Sequence, residues 1–178
     1  MNSNNLDSKY LVTNYSGLQN IYFSRILKNI IKIGNLNQKN ISILDYGCGK
    51  QQLSKMIKRG RVINYDINPK YSDINSIDNC KFDLVVMNHV LLYIEAKHQI
   101  DLFKKIKNIN PNAKLIIGIG KQNIISNILK TLALKFNAHQ NTKIKYKKQV
   151  QLIYENTNVI KKIENICFMT DVFLCELK

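Results

Sequence analysis

Cysteine and histidine pairs at metal-ligand spacing are missing from this chain. Its four cysteines (Cys48, Cys80, Cys167 and Cys175) stand far apart, with no Cys-x-x-Cys. Its three histidines (His89, His98 and His139) show no ligand spacing either. No metal site is therefore expected, and the thiols read as reduced and mostly buried. Proline and glycine are scarce, at two and seven residues, and no repeat is visible. No apolar run approaches the roughly 18 residues of a membrane helix. The polar start Met1-Asn2-Ser3-Asn4-Asn5 does not resemble a signal peptide. A cytoplasmic protein is the expectation.

Acids are also few: 12 against 27 lysines and arginines, for a formal net charge of +15. Such a balance fits a nucleic acid or another anionic partner. It fits better a compositional bias towards Lys, Asn and Ile, because the lysines are scattered over every segment. The densest cluster, Lys143 to Lys148, contains one aromatic, Tyr146. With 178 residues, 45% of them apolar and 22% charged, the chain is long enough to bury a real core as one domain, residues 1–178.

The periodicity then organises the chain. Leu18, Ile21, Tyr22, Ile26, Leu27, Ile30 and Ile31 fall at helical spacing and predict an amphipathic helix ending near Gly34. This helix belongs to an N-terminal segment, 1–40. From 41 to 119 strands and helices alternate. The expected strands are 41–46, 61–66, a brief 73–77, 82–87 and 114–119. The expected helices are 51–59, closed by Gly60 as a C-cap, and 95–109. Most of these strands are apolar throughout, as in a parallel sheet covered on both faces. Residues 120–178 differ: helices are expected over 123–136 and 147–154, then two strands, 159–168 and 171–177, as an antiparallel pair.

In an open α/β sheet, ligands bind beyond the carboxyl ends of the strands. Four such ends carry telling residues: Asp45-Tyr46-Gly47-Cys48-Gly49, Tyr65-Asp66-Ile67-Asn68-Pro69, Ser76-Ile77-Asp78 and Met87-Asn88-His89. The first is a buried strand entering a Gly-x-Gly turn, where a ligand can approach bare backbone. Asp66 lies 19 residues beyond Gly47, the offset of an acid that bonds ribose hydroxyls. A nucleoside is thus indicated. A dinucleotide fingerprint would need a third glycine at position 52, where Gln52 stands. Asp45 would also repel a pyrophosphate. An acid there suits a ligand with a cationic amino-acid end, S-adenosylmethionine. A nicotinamide-dependent reductase is the weaker alternative.

Three stretches, taken in order, resemble the class I S-adenosylmethionine-dependent methyltransferases over residues 41–119. Ile43-Leu44-Asp45-Tyr46-Gly47-Cys48-Gly49 is similar to their first motif and Tyr65-Asp66-Ile67-Asn68-Pro69 to their second. Phe82-Asp83-Leu84-Val85-Val86-Met87-Asn88-His89-Val90-Leu91 is similar to their fourth-strand motif. The resemblance implies a Rossmann-like, doubly wound α/β fold: a seven-stranded sheet, mostly parallel with an antiparallel last strand, and helices on both faces. It implies that Asp45, Gly47 and Gly49 hold the methionine part of the cofactor. Asp66 would take the ribose hydroxyls, Ile67 would pack on the adenine, and Ser76 and Ile77 would lie at its edge. Asn88 and His89 would sit near the methyl donor.

The family often has a third glycine where Gln51 stands, and the stretch between Asp66 and Phe82 is short. His89 is the first candidate for a base and His139 the second, since imidazole suits proton removal near neutral pH. Tyr10, Tyr15 and Tyr93 read as packing residues. The expected acceptor is an oxygen or nitrogen of a small molecule, a glycan or a lipid-linked intermediate. An RNA acceptor and a non-catalytic basic binding module are the alternatives. No Asn/Asp-Pro-Pro-Tyr/Phe motif follows the fourth strand, which argues against base amino-methylation.

Overall fold

The structure, a computed structural model, describes residues 18–121 and 142–178, with side chains from Asn20 onward. The helix expected over 123–136, His139, Tyr10 and Tyr15 lie outside the described residues.

Helix α1 (Leu18–Gly34) precedes β1 (Ser42–Tyr46), the short α2 (Gln52–Met56) and β2 (Arg61–Tyr65). A 3₁₀ turn over Pro69–Tyr71 leads to β3 (Leu84–Asn88), and a second over Leu91–Tyr93 to α3 (Ala96–Ile109) and β4 (Lys114–Gly120). After the undescribed stretch come α4 (Tyr146–Asn156), β5 (Thr157–Ile166) and β6 (Thr170–Leu177). The strands form one sheet in the order β2-β1-β3-β4-β6-β5. β1 to β4 pair in parallel. β6 runs antiparallel to both of its neighbours, β4 and β5. The antiparallel last strand and the terminal strand pair therefore stand as expected.

Alternation along each strand divides the core into two layers. Leu44, Val85, Met87, Leu115, Ile117 and Phe173 face one way, and Leu102, Phe103, Ile106 and Ile153 of α3 and α4 cover them. Ile43, Leu84, Val86, Ile116 and Val172 face the other way, under Ile26, Leu27, Ile30 and Ile33 of α1 and Leu53 of α2. Ile26, Ile30 and Ile116 are fully buried; each such side chain contributes roughly 1.5–3 kcal/mol of apolar transfer free energy. Ile21, read as part of the apolar stripe, is 65% exposed.

Three expectations are corrected. The described residues form six strands rather than seven, because the brief strand over 73–77 does not form. Asp73 occupies the outer edge of β2 instead. Its N–H donates to the Asn64 carbonyl (2.8 Å), and its Oδ2 accepts from Asn64 N (2.9 Å) and Nδ2 (2.8 Å). A carboxylate thus satisfies an edge that a further strand would have paired. The helix after β1 ends at Met56, where Ile57 turns to extended backbone (ψ 124°) and its N–H reaches the Leu53 carbonyl. Gly60 consequently caps nothing. A Cβ there would lie 3.0 Å from both Leu36 O and Ile41 Cγ2, so its lack of a side chain serves close packing.

The end of α1 has a similar history. Gly34 is needed because a Cβ would come within 2.3 Å of Ile116 Cδ1. The left-handed cap is Asn35 (φ 49°). Asn35 N–H bonds Lys32 O and Leu36 N–H bonds Ile31 O, the paired bonds of a Schellman ending.

Candidate active site

The carboxyl ends of β1, β2 and β3 converge where the sequence placed the ligand. Asp45, one residue before the end of β1, is 5% exposed. Burial, with a smaller contribution from the negative charge of Asp66, pushes its carboxyl up from 3.8 to about 7. The chain then turns through Gly47 (φ 77°) and Gly49 (φ 51°). Gly47 N–H and Cys48 N–H both donate to Tyr65 O (2.7 and 3.1 Å), fastening the loop to the end of β2. A Cβ on Gly47 would lie 2.4 Å from Val90 Cγ2, so only glycine lets the loop approach the segment after β3. Gly49 differs: nothing lies within 4 Å of where its Cβ would be. Its backbone faces open space.

Asp66 joins the two ends. Its Oδ2 accepts from Gly49 N–H at 2.8 Å and its Oδ1 from Asn68 N–H at 2.9 Å. Each oxygen keeps acceptor capacity for a ligand hydroxyl. Ile67, next along, is 74% exposed at the rim.

Gln51, where the family often has glycine, adopts the glycine conformation anyway (φ 56°, ψ 39°). Its Nε2 donates to Tyr71 O at 2.7 Å, tying the glycine loop to the turn that follows Asp66. Cys48 Sγ points at the same carbonyl, 3.2 Å away. Burial first, then the carboxylates of Asp45, Asp66 and Asp73, push that thiol far above its ordinary range. It is no nucleophile at neutral pH.

At the end of β3, Asn88 holds a buried side-chain oxygen with no hydrogen-bond partner among the described residues. It lies 2.4 Å from where a Cβ on Gly118 would be, so that glycine makes room for it. An unpartnered buried acceptor of this kind suits a ligand donor. His89 follows in left-handed backbone (φ 56°), with its N–H on Gly118 O at 2.8 Å. Its Nε2 is 3.2 Å from Thr170 Oγ1, and its ring stands edge-on to Phe23 (5.6 Å) and Tyr22 (6.4 Å).

Not every candidate joins this cluster. Ile77 is 3% exposed and packs in the core beneath α3. Ser76 is exposed and bonds Asp78, whose carboxylate pairs with Lys105 at 2.7 Å. Thr170, Tyr22 and the Gln51–Tyr71 tie were not singled out from the sequence. Thr170 fell between the two expected terminal strands and Tyr22 was one more apolar helix position, and neither carried a signal of its own.

The chemistry of the cluster is specific. Two carboxyls beside bare backbone repel phosphates and favour a cation with hydroxyls, which is the donor pattern of S-adenosylmethionine. Among the described residues no group of His, Cys, Asp and Glu has the arrangement to hold a metal ion, and no helix is long and apolar enough to cross a membrane.

Comparisons with known proteins agree with the geometry. A family model described as a methyltransferase domain matches residues 18–153. No curated protein matches by sequence. Among solved structures, magnesium protoporphyrin IX methyltransferase from Synechocystis PCC 6803, determined with bound SAH, is 14% identical. It aligns with a TM-score of 0.61 over 99% of this chain and 95% of that one. The N-methyltransferase NodS from Bradyrhizobium japonicum, in complex with S-adenosyl-L-homocysteine, is 12% identical. There the TM-score is 0.60, over 88% of this chain and 87% of that one. The small RNA methyltransferase HEN1 is 13% identical, with a TM-score of 0.64 over 93% of this chain but 26% of that one. At these identities the structures speak for the fold, and the domain match carries the family: this chain belongs to the class I S-adenosylmethionine-dependent methyltransferases.

Proposed function

We propose that this protein, acting as one cytoplasmic domain of residues 1–178, methylates an oxygen or nitrogen of a small-molecule, glycan or lipid-linked acceptor. The observation that carries the cofactor half of this reading is the link between the glycine loop and Asp66 through Gly49 N–H. Asp45, Gly47 and Gly49 hold the amino-acid end, and Asp45 offers the α-ammonium a carboxyl. Asp66 takes the ribose hydroxyls. Ile67 lies against the adenine, and Asn88, at the end of β3, sits near the methyl donor. When bound, S-adenosylmethionine supplies an already activated methyl group, so the residues around it chiefly align the nucleophile. His89 is the base that relieves the nucleophile of its proton, and His139 is the second candidate.

The acceptor class is supported by the two neighbours that match across almost their whole length, one of which is named for a small-molecule substrate. An RNA acceptor is the second reading. The net charge of +15 favours it, as does the likeness to the RNA methyltransferase fold. A cellular extract supplied with methyl-labelled donor and the protein separates the two. Label in solvent-extractable molecules supports the first. Label that is destroyed by ribonuclease, with binding that weakens steeply as salt rises, supports the second. A purified protein that fails to bind S-adenosylhomocysteine would leave only the binding-module alternative.

A further inference from the structure

Asp45 and Asp171 are both buried acids, and their surroundings differ. Asp171 accepts from Asn165 N–H at 2.9 Å, Tyr146 OH at 2.5 Å and Lys121 Nζ at 2.8 Å. No described residue donates a hydrogen bond to Asp45. Its partners in the sheet offer none. On β3 it pairs with Val86. On β2 it pairs with Asn64, whose side chain is committed to Ser54 Oγ at 2.5 Å and Asp73 Oδ2 at 2.8 Å. Beyond β2, Asp66 bears on it with a charge of the same sign. In the glycine loop, Cys48 stays a neutral thiol. A carboxylate so placed has lost water and gained neither donor nor cation, which favours its neutral form. Burial and Asp66 accordingly push its carboxyl up to about 7.

We propose that the cofactor site exchanges a proton for a cation: below neutral pH Asp45 is protonated in the free protein, and the α-ammonium of S-adenosylmethionine displaces that proton to bulk water on binding. The inference rests on the reading of Asp45 as the group that meets the ammonium. An ammonium beside this carboxyl supplies the missing donor and the opposite charge together, and both favour the ionised form. The only covalent bond broken is the O–H of the acid. Cofactor affinity then depends on pH. Below neutrality, binding has to expel the proton. Above it, the carboxylate is already free, and affinity levels off. The site is thereby tuned by proton concentration across the neutral range, through one acid that the fold leaves without donors.

Calorimetric titration of the full-length protein with S-adenosylhomocysteine, which carries the same ammonium without the sulfonium charge, tests this. At pH 6.5, heats measured in two buffers of different ionisation enthalpy count the protons released. Wild type should release most of one proton, and its affinity should rise about tenfold from pH 6 to pH 8. Asp45→Asn should bind more weakly and release none. A release that persists in Asp45→Asn would assign the proton to another group, His89 foremost, and overturn the proposal. Should the variant bind too weakly to measure, carbon-13 spectra of wild type labelled at its aspartate carboxyls carry the test. The Asp45 signal, identified by its loss in Asp45→Asn, should be that of a carboxylic acid at pH 6 in the free protein and of a carboxylate in the complex. A carboxylate in both would overturn the proposal. Binding without proton release defeats this inference alone. No binding of S-adenosylhomocysteine by wild type defeats the methyltransferase reading, and this inference with it.

Discussion

Gly49 N–H and the Asp66 carboxylate meet at 2.8 Å, joining the loop after β1 to the end of β2. On the proposed reading, this contact preforms the cofactor site. The acid expected to take ribose hydroxyls is already fixed against the backbone that faces open space.

The two glycines of the loop should behave differently on substitution. Gly47→Ala meets Val90 Cγ2 at 2.4 Å in a left-handed conformation. It should cost about 3 kcal/mol, from strain and overpacking together. Gly49→Ala meets no neighbour and should cost only the strain, about 1 kcal/mol. Because its methyl enters the open space, it should nonetheless weaken S-adenosylhomocysteine binding. Urea unfolding and calorimetry on both variants check the contrast; equal unfolding midpoints for the two would contradict it.

Gln51 predicts a near cancellation. Gln51→Gly removes left-handed strain of about 1 kcal/mol and loses one hydrogen bond to Tyr71 O, worth about 1 kcal/mol. Stability should hardly change. Gln51→Ala keeps the strain, loses the bond, and should be less stable by about 1 kcal/mol. Thermal unfolding of the pair decides this, and a Gly variant less stable than the Ala variant would refute it.

Asp45 makes stability depend on pH in an unusual direction. Its folded value, about 7, lies above the ordinary 3.8, so between those values the folded chain binds the extra proton. Stability from this group is fully present below about 4 and is lost as pH rises towards 7. Asp45→Asn should flatten that part of the curve. Denaturant unfolding from pH 5 to 8 measures it, and an identical slope in the variant would count against the assignment.

Asp171 should act in the opposite sense. Burial pushes its carboxyl up. Bonds from Lys121, Tyr146 and Asn165 N–H, with the Lys121 charge, outweigh that and hold it below the usual range. Lys121 Nζ lies 2.8 Å from Oδ1 and Tyr146 OH 2.5 Å from Oδ2. The stability it supplies is present above the unfolded value near 4 and is lost as pH falls through the lowered folded value. Asp171→Asn should destabilise by about 3 kcal/mol, since it leaves a cation uncompensated. A change under 1 kcal/mol in urea unfolding would show that the cluster is not structural.

Sequence and structure agree where a residue's own neighbours dictate its state. Ile43-Leu44-Asp45 and Leu84-Val85-Val86-Met87 read as buried parallel strands because both of their faces are covered. The place of Asp66 beside the glycine loop was legible from its offset to Gly47. The edge of β2 was not, because a distant side chain, Asp73, replaces a strand. Gly60 and Gly34 look like caps in one dimension, whereas contacts with Leu36, Ile41 and Ile116 explain them in three. Thr170 was invisible for the same reason. Its meaning lies in Tyr22 and His89, 148 and 81 residues away along the chain.

The most direct test of the central claim is calorimetric titration of S-adenosylhomocysteine into the wild-type protein and Asp66→Ala. Saturable one-to-one binding by wild type is expected, weakened about 10- to 100-fold in the variant, as for the loss of hydrogen bonds to a charged group. No binding by wild type, or equal affinity in the two proteins, would contradict the account.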